Sequence, residues 1–144
     1  MKKLILLMAA AAIAAMTLTS CEPDIENSSW LKGTTWKASL VGQKGMSPDE
    51  PLTKGWIKIH FTSNGYQLRI DSPFSKVILN TRLFPDYDYP TLYFPIEWEE
   101  VDKKPVNIVY NIGTFSEDLK TIHFDTFKDR GGYNEYYDID FIRQ

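Results

Sequence analysis

From Trp56 onward the apolar positions recur every second residue. In Trp56-Ile57-Lys58-Ile59-His60-Phe61 the alternation puts Ile57, Ile59 and Phe61 on one face and Lys58 and His60 on the other. Ser63-Asn64-Gly65 follows as a turn, its Asn-Gly pair suited to the positive φ of a tight hairpin. Tyr66-Gln67-Leu68-Arg69-Ile70-Asp71 alternates again, with Tyr66, Leu68 and Ile70 inward. The same pattern predicts strands near residues 34–42, 75–82, 91–99, 106–113, 119–127 and 133–143, the last with Tyr137, Ile139 and Phe141 inward. Ser116-Glu117-Asp118 and Lys128-Asp129-Arg130-Gly131-Gly132 punctuate the final three. No stretch offers helical periodicity with caps. The prediction is an all-β fold: an antiparallel eight-stranded up-and-down meander that forms a closed or partly open barrel. Its inward rings would be Phe61, Tyr66, Phe94, Trp98, Tyr110, Phe124, Tyr137 and Phe141, which leaves a packed interior rather than a ligand cavity.

The segment 83–95 fits this pattern badly. It carries Pro85, Pro90 and Pro95 among tyrosines and aspartates. Proline cannot donate to a β-ladder, so Pro95 belongs at an edge, a bulge or a strand start, and the barrel is expected to be open or splayed here.

The first twenty residues have a different logic. Lys2 and Lys3 precede an uncharged run from Leu4 to Leu18, which is too short to span a bilayer comfortably and reads as the apolar part of an export signal. Leu18-Thr19-Ser20-Cys21 matches the lipobox of bacterial lipoproteins. In that resemblance residues 1–20 are removed and Cys21 carries the lipid; the alternative is an ordinary secretory signal followed by a chance cysteine. Cys21 is the sole cysteine, so no intramolecular disulfide framework exists. With several acyl chains the protein would be anchored to a membrane without spanning it. Residues 21–29, including Glu22, Asp24 and Glu26, read as a polar tether with too little apolar content to form a core. Acids directly after the lipidated cysteine also resemble the tract that directs some lipoproteins to the outer face of the outer membrane. Residues 30–144 then form one domain.

Charge narrows the partners. The signal holds two of the 16 basic residues and none of the 19 acidic ones, so the remainder carries 14 against 19, a net charge of −5. No Lys/Arg run stands out, which makes nucleic acid a poor partner and leaves membrane attachment to the lipid.

Trp30-Leu31-Lys32-Gly33-Thr34-Thr35-Trp36-Lys37 resembles the opening of the lipocalin-like domains found in small bacterial envelope lipoproteins. The stretch from Tyr110-Asn111-Ile112 through Ser116, Leu119, Ile122 and Phe124 to Tyr137–Arg143 is similar to their last three strands. The Gly33-x-x-Trp36 spacing is one residue longer than in lipocalins proper, and no C-terminal helix is predicted. The resemblance implies structural roles for Trp36 and Arg143, with the arginine lying across the tryptophan, and carries no shared activity.

Candidate chemistry is sparse. His60 and His123 are the only histidines, the one thiol is assigned to lipid, and no Gly-x-Ser-x-Gly turn is present, so neither nucleophilic catalysis nor a zinc site is expected. Asp86 and Asp88 could offer oxygens to calcium, but no glycine-turned loop or third ligand follows; no metal or cofactor is expected. Glu97 with Glu99, and Asp138 with Asp140, share strand faces at about 6.5–7 Å, a spacing compatible with inverting glycoside hydrolysis. Outward carboxylates in an acidic domain are ordinarily just solvated. The remaining candidate is 83–95, where Asp86, Tyr87, Asp88, Tyr89 and Tyr93 form a stiff aromatic segment suited to protein or sugar recognition. Against that, Phe84, Leu92 and Phe94 suit a core, and the tyrosines suit a cover over the barrel mouth. Two functions follow: a lipid-anchored envelope protein that binds a protein or glycan partner without catalysis, or a glycan hydrolase using an acidic pair.

Overall fold

The computed structural model describes residues 25–44, 50–73, 75–129 and 134–144. The segment 1–20 read as an export signal and Cys21 lie outside the described residues, as do 130–132 of the last turn and Tyr133, the expected first residue of the final strand. A 3₁₀ turn, η1 (Ser28–Leu31), precedes β1 (Thr35–Ser39), β2 (Trp56–Phe61), β3 (Tyr66–Asp71), β4 (Lys76–Thr81), β5 (Asp86–Asp88), β6 (Thr91–Val101), β7 (Lys104–Phe115), β8 (Thr121–Lys128) and β9 (Glu135–Arg143). Asn27 caps η1 by accepting a bond from the Ser29 amide at 2.9 Å, so ordered structure starts inside the segment read as tether.

The fold is all-β. The nine strands form one antiparallel sheet in the order β4-β3-β2-β1-β9-β8-β7-β6-β5. The sheet curls into a half-barrel in which β1 joins β9 while β4 and β5, consecutive in sequence, are not paired. The opening therefore falls at the start of the proline-rich segment. Nine strands replace the expected eight because Asp86–Asp88, within the segment that fits the strand pattern badly, pairs with Thr91–Tyr93. Pro95 sits beside a register shift in the β6–β7 ladder, where its missing N–H is tolerated.

The concave side holds the core. Ile57, Ile59, Phe61, Tyr66 and Leu68 are fully buried from the first hairpin, and Phe94, Phe124, Phe127 and Phe141 from the second half of the sheet. Rings from the two halves meet across the interior: Tyr66 and Phe94 at 4.3 Å, Phe61 and Phe94 at 6.2 Å. The Tyr66 hydroxyl donates to the Pro95 carbonyl, which ties β3 to β6 where no ladder joins them. At the end near β1, Trp36 is buried and its indole N–H donates to Thr34 Oγ1 at 2.8 Å. Arg143 pairs with Trp36 in the ladder, but its guanidinium lies over Trp30, 5.9 Å from the ring, and not across Trp36 as the lipocalin-like resemblance implied.

Four sequence expectations are corrected. Tyr137 is half exposed and Tyr136 is buried in its place. Strands β8 and β9 both exchange their faces midway, between Phe124 and Phe127 and between Tyr136 and Ile139, and Asp138 takes φ 52° at that point. Tyr110 lies outward because Asn111, Gly113 and Phe115 take the inner face of β7. Trp98 is only half buried, in the irregular part of β6. The β2–β3 hairpin forms as expected, yet neither Asn64 nor Gly65 adopts a left-handed φ. Gly65 is required instead by the close approach of the Thr81 carbonyl, into which a Cβ would run.

A candidate binding groove on the outer face

Strands β7 and β8 pair only at Gly113–Phe124, Thr114–His123 and Phe115–Ile122, and then diverge. The buried side chain of Asn111 spans the gap. Its amide Nδ2 donates to the Lys128 carbonyl at 2.8 Å, and its Oδ1 accepts from the Lys128 N–H at 2.9 Å, replacing a ladder that the backbones are too far apart to form. Once β7 and β8 separate, a groove of about 440 Å³ opens on the convex side of the sheet.

One wall of the groove is β7, with Val109, Tyr110 and Ile112; the other is β8, with His123, Asp125, Thr126 and Lys128. The apolar wall is exposed: Val109 keeps 45% and Ile112 58% of its surface in solvent. Neighbouring strands buttress Tyr110. Its hydroxyl donates to Asp86 Oδ2 at 2.9 Å, and its ring meets Tyr93 edge-on at 6.0 Å. Burial first, and then the bond to the Asp86 carboxylate, hold the Tyr110 phenol above its usual pKa of 10.0, so it remains a donor.

On the polar wall His123 stands among three carboxylates. Its Nδ1 lies 2.7 Å from Asp140, and its Nε2 lies 3.1 Å from Asp125 and 3.5 Å from Asp138. The hydrogen bond with Asp140, helped by Asp125 and Asp138 and opposed by partial burial, raises the imidazole pKa above its ordinary 6.5. Among the described residues no group of His, Cys, Asp and Glu is disposed to hold a metal ion.

The five residues expected to bind do not act together. Asp86, Asp88 and Tyr93 occupy the outer side of the β5–β6 hairpin, and Asp86 and Tyr93 adjoin the groove through Tyr110. Tyr87 and Tyr89 turn the other way and pack, half buried, against the core. Tyr87 meets Trp30 at 6.3 Å, Phe115 at 5.7 Å and Tyr89 at 6.4 Å, and its hydroxyl accepts the Trp30 indole N–H at 3.3 Å. Of the acidic pairs, Asp138 and Asp140 belong to the His123 cluster, while Glu99 accepts a bond from Asn107 at 2.9 Å. Sequence reasoning missed the outward Tyr110, the Asn111 bridge and the His123 cluster. The pattern His123-x-Asp125 on one strand and Asp138-x-Asp140 on the next was a usable signal, since both pairs share a face.

No family model matches this chain, and no curated protein or solved structure matches it significantly.

Proposed function

We propose that this protein is a lipid-anchored component of a bacterial cell envelope that binds a protein or glycan partner without chemical turnover, and that the β7–β8 groove is where it binds. The lipobox at Cys21 supports the anchor and the envelope address, and the acids that follow it support the narrower address of the outer membrane's outer face. The observation that carries the binding role is the groove itself: an exposed wall of Val109, Tyr110 and Ile112 facing a polar wall around His123. Tyr110, held by Asp86 and Tyr93, offers a rigid ring and a fixed donor, which keeps the entropy lost on contact small. The likeness to lipocalin-like envelope domains is consistent with this role, with the outer groove in place of a barrel cavity.

For the Asp138–Asp140 pair, exposure argues against the hydrolase alternative. A general acid needs a carboxyl kept protonated by desolvation or a close like charge, whereas the Asp138 side chain is 91% and the Asp140 side chain 56% exposed. The test is a panel of glycans and purified envelope proteins offered to residues 25–144. Stoichiometric capture that weakens by roughly 2 kcal/mol or more in Tyr93→Ala with Tyr110→Ala supports the reading. Turnover of a glycan, or capture unchanged in that variant, refutes it.

A further inference from the structure

The opposite end of the sheet carries a surface of the other charge. On the convex side of β1–β4 the ladders bring Lys37, Lys58 and Arg69 into one line across three adjacent strands, bounded by Ile142 of β9 and Ile78 of β4. The next line along the strands is neutral and polar, running Thr35, His60, Gln67 and Asn80. The line on the other side contains Trp56, Asp71 and Lys76. Four cations against the single carboxylate of Asp71 leave this face net positive on a chain whose overall charge is −3.

Ion pairing within the sheet does not account for the three cations. Like charges directly opposite each other on neighbouring strands are destabilising, and Lys37–Lys58 and Lys58–Arg69 are two such pairs in succession. Among the described residues none of the three has a carboxylate within ion-pair distance. Lys37 and Lys58 instead lie over the Trp56 ring, at 5.5 Å and 5.9 Å. Lys58 and Arg69 border a shallow groove of about 290 Å³ that also takes in Thr35, His60 and Gln67.

We infer that the convex face of β1–β4 is a binding surface for an anionic polysaccharide, a linear chain bearing carboxylates or sulfates. Neighbouring strands are about 4.8 Å apart, so the three cations repeat at a spacing close to the advance of one sugar residue. The parallel line of Thr35, His60, Gln67 and Asn80 supplies partners for hydroxyls at the same repeat. A membrane is the poorer occupant, because a bilayer-binding face needs a cluster of protruding apolar side chains, and Trp56 is half buried beneath its two lysines while the exposed Ile78 and Ile142 stand at opposite ends of the line. Duplex nucleic acid is poorer too, since one line of three cations neutralises few phosphates. This surface is separate from the β7–β8 groove, and its occupancy does not depend on that reading.

The experiment measures affinity of the full chain, in neutral detergent, for polygalacturonate and dextran sulfate, with neutral dextran, phosphatidylglycerol vesicles and duplex DNA alongside. Binding to at least one of the two polyanions is expected, and it should vanish at about 1 M salt, where the screening length is about 3 Å. Lys37→Gln with Lys58→Gln and Arg69→Gln should weaken it about tenfold or more, while the urea midpoint stays level or rises as the repulsion is relieved. Arg69→Gln alone should weaken it by about twofold to threefold, which keeps the test valid if the triple variant does not fold. The inference is overturned if neither polyanion binds, if dextran binds equally well, if vesicles or DNA bind more tightly than both, or if the neutralised variants keep wild-type affinity.

Discussion

Replacing Tyr87 with alanine distinguishes a packed tyrosine from a recognition anchor. In the structure its ring closes one end of the half-barrel, against Trp30 and Phe115 at 6.3 and 5.7 Å. Truncating a fully buried Phe or Trp costs about 3–5 kcal/mol, and Tyr87 is half buried, so the packing loss is about 2 kcal/mol. The 3.3 Å bond from the Trp30 indole adds no more than about 0.5 kcal/mol, because it is long and the indole N–H can turn to water. Tyr87→Ala should therefore lower the unfolding free energy by about 2–2.5 kcal/mol. Tyr93→Ala, from the outer side of the same hairpin, should cost less than about 1 kcal/mol. Urea titration followed by tryptophan fluorescence reads both, with the midpoint moving at constant slope. A neutral Tyr87→Ala, or a Tyr93→Ala that costs as much, would refute the placement of these two rings on opposite sides of the sheet.

Phe124→Ala removes a fully buried ring packed on Phe127 at 5.2 Å and Phe141 at 5.4 Å, and should cost about 3–5 kcal/mol; a near-neutral urea midpoint would show that the interior is not packed as described. His123, with its pKa raised in the folded state, contributes stability that is complete below its unfolded value of 6.5 and is lost as pH climbs through the folded value. Wild type should then lose more stability than His123→Gln between about pH 5.5 and about pH 8, and equal losses in the two would refute the cluster. Cys21→Ser should abolish lipid labelling and release the protein from membranes, which a detergent phase split checks directly; wild type found in the aqueous phase would refute the anchor.

Much of the architecture was legible in the chain because a strand with one buried face must alternate. Ile57-x-Ile59-x-Phe61 and Tyr66-x-Leu68-x-Ile70 state their inward sides, and Asn64-Gly65 marks the turn between them. The prolines of 83–95 likewise announced the break in the barrel, since a residue without an N–H cannot continue a ladder. Alternation fails wherever the backbone changes phase. The joint face exchange of β8 and β9 at Asp125 and Asp138 moved Tyr137 out and Tyr136 in, and no residue type at those positions signals it. For Tyr110 the difficulty was different, because Tyr110 and Asn111 are adjacent and either could face inward until partners are known. Only the tertiary structure shows Lys128 waiting for the Asn111 amide, which decides the side. The same holds for both proposed surfaces. Their residues lie far apart in sequence, and strand register alone decides that Lys37, Lys58 and Arg69 form a line, or that Asp138 and Asp140 meet His123. Register is set by hydrogen bonds and packing between strands, so it is a property of the assembled sheet and not of any one segment.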